Sequence, residues 1–194
     1  LAAQKFDQHF VWQKKLGAGC FSEVWAVRHA ERPDEGYAIK VSHREFRSRA
    51  ERDEYLREVR LANDMPAHPN VVEYIRAWQD QRHFYVQMEL CEGGTLQGVL
   101  DRDGEALRAP AHEPRVWEVA RGVARGLEHI HSYEVIHCDL KPDNILIGAD
   151  GEGYLADVGL AKGAEEAAGP APTHMSTAAL KGTTGFVDPL FTLS

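Results

Sequence analysis

His137-Cys138-Asp139-Leu140-Lys141-Pro142-Asp143-Asn144 sets three polar groups at fixed offsets: the carboxylate of Asp139, the ammonium of Lys141 and the carboxamide of Asn144. A carboxylate can accept the proton of a hydroxyl nucleophile. A lysine two residues on can neutralise a phosphoryl oxygen. An asparagine five residues on can coordinate a metal through its amide oxygen. Thirteen residues after Asn144 comes Asp157-Val158-Gly159, a second acidic group just before a flexible glycine.

Upstream of this stretch the chain reads first as strands. Phe10-Val11-Trp12, Glu23-Val24-Trp25-Ala26-Val27 and Tyr37-Ala38-Ile39-Lys40-Val41 are rich in β-branched and aromatic residues, with glycine and Pro-Asp-Glu-Gly turns between them. Residues 44–63 are charge-rich. Tyr55, Val59 and Ala62 recur at helical spacing, and Glu58 lies on the same face. Pro66 ends that helix. Residues 71–78 and 83–90 supply two more strand candidates. After Cys91-Glu92-Gly93-Gly94 the pattern changes. The spacing predicts a helix over 114–132, with Pro114 in its first turn and an apolar stripe of Val116, Ala120, Val123, Leu127 and Ile130. Residues 163–180 are dominated by Ala, Gly, Pro, Ser and Thr and read as a mobile loop. The fold class is therefore α+β, with two lobes. Residues 1–90 form a strand-rich lobe, an antiparallel sheet plus one helix. Residues 91–95 are a hinge, and 96–194 an incomplete, mainly helical lobe. No internal repeat interrupts this layout.

Composition narrows the function classes. The chain has 194 residues, 43% apolar and 27% charged, which fits a soluble globular protein. The net charge of −8 argues against nonspecific nucleic-acid binding. No apolar run is long enough for a transmembrane helix. Cys20, Cys91 and Cys138 stand far apart with no C-x-x-C pair, which predicts a reducing, intracellular setting, nucleus or cytoplasm, without disulfides or a zinc site. His129 and His131 are two apart and on a helix point about 200° apart, so they do not share an ion. With Leu1 at its start and Ser194 at its end, the chain is read as an internal fragment.

Between the first two strands lies Leu16-Gly17-Ala18-Gly19-Cys20-Phe21-Ser22-Glu23-Val24. A glycine-rich hairpin brings backbone N–H groups close to phosphate oxygens because no Cβ intervenes. Lys40 follows Gly19 by 21 residues, and Glu58 stands ten residues before His68-Pro69-Asn70-Val71-Val72. Glu54, one turn earlier, is the other candidate partner for Lys40.

With these elements in this order, the whole chain resembles a protein-kinase domain, from before its glycine loop to the end of its activation segment (157–190). The resemblance implies ATP and Mg2+ as cofactors and a protein as substrate. Lys40 would hold the α- and β-phosphates and Glu58 would hold Lys40. Asp139 would act as base or hydroxyl positioner, Lys141 would neutralise the transferring phosphoryl group, and Asn144 and Asp157 would hold magnesium. Met88-Glu89-Leu90-Cys91 reads as the hinge: Met88 the gatekeeper, the backbones of Glu89 and Cys91 bonding the adenine edge, and Val24, Ala38 and Leu146 sandwiching the ring.

A narrower likeness points to the Wee-like kinases that restrain cyclin-dependent kinases. It rests on Tyr37-Ala38-Ile39-Lys40-Val41-Ser42 with Phe46, on His68-Pro69-Asn70-Val71-Val72, on Ala77-Trp78, on residues 87–96, on Arg125-Gly126-Leu127 with Ile130-His131-Ser132, and on the absence of arginine before Asp139. It implies a cyclin-dependent kinase as substrate. Ser22 stands where a third glycine is usual, Val158 replaces a phenylalanine, and Leu190 stands where a glutamate closes the activation segment. Residues 182–190 look more like a plant receptor-type kinase segment. Three other readings stand beside this one. The first is a general Ser/Thr kinase, since Lys141 two residues after Asp139 is the Ser/Thr pattern. The second is a pseudokinase or scaffold module. The third is a small-molecule phosphotransferase, against which Lys141-Pro142 and the Gly-Thr segment favour a protein substrate.

Overall fold

The computed structural model describes residues 9–19, 22–43, 59–60, 64–80, 83–158 and 162–163. By internal contacts the chain divides into two compact units, Leu1–Asn63 with Val72–Leu90, and Asp64–Val71 with Cys91–Ser194.

The first unit is built on a five-stranded antiparallel sheet in the order β1-β2-β3-β5-β4. Its strands are β1 (Phe10–Ala18), β2 (Ser22–His29), β3 (Gly36–Ser42), β4 (Tyr74–Asp80) and β5 (His83–Glu89). Strand alternation sorts the side chains onto two faces. On one face Phe10, Val27 and Ile39 are buried, with Trp25, Tyr37, Val41, Trp78 and Tyr85 packed around them. The Arg76 guanidinium lies over the rings of Phe10 and Trp78, and its Nε donates to Gln87 Oε1 at 2.7 Å. The opposite face carries Ala26, Ala38, Val86 and Met88, all buried. Cross-strand pairing puts Ala26, Ala38 and Met88 in one row and Val24, Lys40 and Val86 in the next.

Two boundaries differ from the sequence pattern. The fourth strand begins at Tyr74 rather than at residue 71, because Val71 turns back onto His68 (Val71 N–H to His68 O, 3.0 Å) and bridges Leu155 of the second unit instead. Of the helix expected over 44–63, residues 59–60 are helical and Val59 is buried. Tyr55, Glu58 and Ala62 lie outside the described residues, as does most of 163–180.

The second unit holds α1 (Leu96–Asp103) and α2 (Glu113–Ser132). The Thr95 hydroxyl caps α1 by accepting the Gly98 N–H at 3.0 Å. In α2, Pro114 and Glu113 sit in the first turn, where a missing N–H is harmless and a negative charge suits the helix dipole. The expected apolar stripe of α2 is buried only toward its C-terminal end. Ile130 is fully buried, whereas Val116 is 50% exposed and, with Val119, Val123, Val99 and Leu100, lines an open apolar groove. The buried positions of α2 are instead Gly122, Gly126 and Ile130, four residues apart and so on one face. A Cβ at Gly122 would come within 2.4 Å of the Gly153 oxygen, and one at Gly126 within 2.6 Å of the Asn70 oxygen. The helix therefore lies directly on backbone there.

Asn70, 1% exposed, locks that contact. Its Nδ2 donates to Glu152 Oε2 at 2.9 Å and to Gly153 O at 3.2 Å, while its carbonyl accepts from Leu155 N. This is why Asp64–Val71 belongs with the second unit. Beside it the His68 and His129 rings stack at 4.6 Å, with His129 Nε2 2.9 Å from Pro66 O and the Asn70 N–H donating to His68 Nδ1. Burial, then the neighbouring His129 and Arg125, hold the His68 pKa below its ordinary 6.5, with Glu128 opposing. The unfolded chain therefore binds the proton first as pH falls. Stability from this site is complete above pH 6.5 and declines as pH drops below it, levelling off under the folded-state value. Denaturant titrations from pH 8 to pH 5 should show this slope, and His68→Asn, which retains an acceptor but does not titrate, should flatten it. Equal slopes in the two proteins would refute the assignment.

Candidate active site

In the first unit the glycine hairpin is formed by the ends of β1 and β2. Ala18 pairs with Glu23, and the Gly19 N–H donates to Ser22 O at 2.8 Å. A Cβ at Gly17 would meet nothing within 4 Å, and one at Gly19 only the Ser22 oxygen at 3.8 Å. Packing among the described residues therefore demands neither glycine; a closely approaching ligand would demand both. The Glu23 carboxylate is taken up by Lys15 Nζ at 2.6 Å and Trp25 Nε1 at 2.8 Å, and these bonds lower its pKa. Glu23 thus braces the hairpin with its side chain. Leu16 is exposed on the same strand end. Cys20 and Phe21 lie outside the described residues.

Lys40 stands between Val24 and Val86 in the sheet register, one row from the Ala38–Met88 pair. Val24, Ala38, Lys40 and Met88 thus share one face of the sheet, as a wall against an adenine ring and its phosphates requires. The Glu89 N–H is committed to Glu73 O at 3.0 Å, so an adenine contact at Glu89 falls to its carbonyl.

In the second unit, Cys91 begins a turn closed by the Gly94 N–H on Cys91 O at 3.3 Å. Gly94 has φ +75°, and a Cβ on Gly93 would sit 2.6 Å from Ile147 O. Both positions therefore require glycine. Gly93 N donates to Ile147 O and Ile147 N to Gly94 O, which ties this turn to β7 (Ile145–Ile147). Leu146 lies on β7 and bridges Thr95.

The segment from His137 to Asn144 leaves β6 (Val135–Ile136) and leads into β7. His137 is buried. The Asp139 N–H approaches its Nδ1 at 3.3 Å, so Nδ1 accepts and Nε2 carries the proton, donating to Ala156 O at 3.0 Å. Asp139 receives Lys141 Nζ on Oδ2 at 2.9 Å and Asn144 Nδ2 on the same oxygen at 2.9 Å. Asn144 Nδ2 also donates to the Asp139 carbonyl at 2.9 Å. These side chains are largely withdrawn from water, at 10% exposure for Asp139 and 20% for Lys141, where charged contacts are stronger than in bulk solvent. Because Asp139 offers only acceptors here, the Asn144 amide nitrogen must face it, which leaves Oδ1 to face elsewhere.

β7 pairs with β8 (Gly153–Leu155), Ile145 opposite Leu155, and the ladder continues through Ala156 N–H to Asn144 O at 2.9 Å. This register sets Ala156 opposite Asn144, and Asp157 is the next residue along the chain. Asp157 has φ +56°, a conformation that Asp and Asn tolerate better than most residues. The Asn144 amide oxygen and the Asp157 carboxylate are the hard oxygen donors that suit Mg2+, which takes one or two carboxylates and completes its shell with water and phosphate. No group of three or more His, Cys, Asp or Glu gathers among the described residues. Val158, in place of an aromatic ring, is buried. Glu58, Gly159 and residues 164–194 lie outside the described residues, and among those described no helix is long and apolar enough to cross a membrane.

Comparison with known proteins agrees with this geometry. Residues 10–190 match the model of the protein kinase domain family. A probable protein kinase of Dictyostelium discoideum is 37% identical over 156 residues, covering 80% of this chain and 20% of the relative. The membrane-associated tyrosine- and threonine-specific cdc2-inhibitory kinase of Drosophila melanogaster is 41% identical over 162 residues, 82% of this chain and 29% of the relative. The mitosis inhibitor protein kinase wee1 of Schizosaccharomyces pombe is 36% identical over 146 residues, 75% of this chain and 16% of the relative. The chain thus spans less than a third of the length of these relatives.

Proposed function

The chain belongs to the protein kinase domain family, and from that premise we propose that the protein transfers the γ-phosphoryl group of ATP to a protein hydroxyl. The observation that carries the proposal is the Asp139–Lys141–Asn144 arrangement, one carboxylate oxygen holding both an ammonium and an amide at 2.9 Å. Asp139 orients the attacking hydroxyl and accepts its proton. Lys141 offsets charge on the phosphoryl oxygens as they separate from the leaving group. Lys40 holds the α- and β-phosphates with Glu58 as its partner, and Asn144 and Asp157 hold the metal. Mg2+, if held there by Asn144 and Asp157, would supply neutralisation of phosphate charge. Glycine-loop residues 16–24, Ala38, Met88, Glu89, Cys91 and Leu146 complete the nucleotide site. The protein does little covalent chemistry in such a reaction; positioning and charge supply the rate. An active kinase of this kind works inside the cell, where ATP is supplied.

For the substrate we propose a cyclin-dependent kinase, phosphorylated on its glycine loop. The Drosophila relative is a cdc2-inhibitory kinase by name and the fission yeast relative a mitosis inhibitor. Incubating the full-length protein with a cyclin-dependent kinase and ATP, then mapping the phosphates, tests this. Phosphate on unrelated Ser/Thr proteins, with none on that loop, would favour the general Ser/Thr reading that Lys141 supports. ATP binding without turnover on any protein would favour the pseudokinase.

Activity should not depend on phosphorylation of the activation segment. The residue before Asp139 is Cys138, which carries no positive charge, where many kinases place an arginine to grip a phosphate. Phosphatase treatment of the purified active protein should leave its rate within about twofold, since the phosphate lacks that partner. Loss of activity on treatment would show that another cation takes the arginine's place.

A further inference from the structure

We propose that His43 is a positioning residue for the glycine loop and thereby sets the affinity for the nucleotide. The proposal rests on the kinase reading above. His43 follows the last residue of β3, and the register places Ser42 opposite Ser22 at the hairpin end. Its Nε2 lies 3.0 Å from the Gly19 carbonyl oxygen. A carbonyl can only accept, so Nε2 carries the proton and donates. The Gly19 N–H is already bonded to Ser22 O at 2.8 Å. Both polar groups of Gly19 are therefore engaged, one by β2 and the other by a side chain at the end of β3.

This grip matters because it acts on the Gly19 carbonyl itself, whereas the Glu23 brace acts four residues further on. Gly19 has no side chain, and among the described residues only the Ser22 oxygen lies within 4 Å of where its Cβ would be. A glycine unrestrained by packing samples many backbone conformations, and a nucleotide would have to freeze them on binding. A donor that fixes the Gly19 carbonyl orders the peptide plane leaving Gly19 beforehand, which reduces that cost. His43 does not touch the reacting atoms in this scheme. Its effect should fall on ATP affinity and not on the chemical step.

The test compares His43→Ala and His43→Gln in the full-length protein by ATP Kd, ATP KM and kcat at saturating protein substrate. One hydrogen bond of ordinary net strength predicts a rise of about 3- to 10-fold in Kd and KM for His43→Ala, with kcat within about twofold. The Gln side chain places an amide donor near the position of Nε2 and should restore both constants to within about twofold of the starting protein. Unchanged Kd and KM in His43→Ala, with normal turnover, would overturn this inference alone. A fall in kcat shared by both variants, with lowered melting temperatures, would overturn it in favour of a general structural role. Failure of the unsubstituted protein to bind ATP would overturn the kinase reading and this inference together.

Discussion

Asp139→Asn in the full-length protein is expected to lower kcat by about a hundred- to ten-thousand-fold, the range spanned by losing a general base or a fixed transition-state charge. The substitution is nearly isosteric. The new side chain can turn its oxygen toward Asn144 Nδ2, now 2.9 Å from Asp139 Oδ2, and the Asn144 bond to the residue 139 carbonyl is untouched. What disappears is the negative charge. Lys141 loses its ion-pair partner in a largely desolvated place, and the hydroxyl nucleophile loses its proton acceptor. ATP affinity should change little, because in the proposed function the glycine hairpin and Lys40, not Asp139, would hold the phosphates. A large fall in kcat with Kd for ATP nearly constant is therefore the expected pattern. Turnover near normal would remove Asp139 from the chemistry. Loss of ATP binding together with a lower melting temperature would mean that its role is mainly structural.

The clustering of the candidate catalytic residues is legible in the sequence because their offsets act over a few bonds. Asp139, Lys141 and Asn144 lie within six residues, and a tight turn with a short 3-10 segment at 142–144 brings their side chains together. The sheet was legible for a similar reason: period-two alternation in β2, β3 and β5 sets the rows that align Val24 with Lys40 and Ala38 with Met88. Contacts between distant segments were not legible. The apolar stripe of α2 has helical spacing, but periodicity does not show how closely a neighbour approaches. Gly122 and Gly126 let backbone pack onto the helix, so the buried face runs through them while Val116 lies at an open groove. In the sequence Asn70 stands out only as one residue of a short motif; its bond to Glu152 spans 82 residues. His43 gave no signal either, since a polar residue after a strand looks like ordinary surface. The bond from its ring to Gly19, 24 residues away, follows from strand register that composition does not encode.

Asp157 gives a second large effect, and its backbone decides how to measure it. If Asp157 holds the metal as proposed, removing its carboxylate takes away a hard oxygen donor, and phosphoryl transfer should fall by at least about a thousand-fold, equal to several kcal/mol of charge stabilisation. Asp157→Ala confounds that reading. Residue 157 sits at φ +56°, where alanine pays a penalty of about 1 kcal/mol that Asp and Asn largely escape. Asp157→Ala is therefore expected to lose both activity and some stability. Asp157→Asn keeps the tolerated backbone and the side-chain volume but loses the charge. It should melt near the temperature of the unsubstituted protein while losing nearly as much activity. Raising Mg2+ should recover part of that loss if the defect is weakened metal binding, because an amide oxygen still coordinates, more weakly than a carboxylate. A fully active Asp157→Asn protein at low Mg2+ would remove Asp157 from the metal site. Equal drops in melting temperature for the Asn and Ala variants would show that the strained backbone is not what separates them.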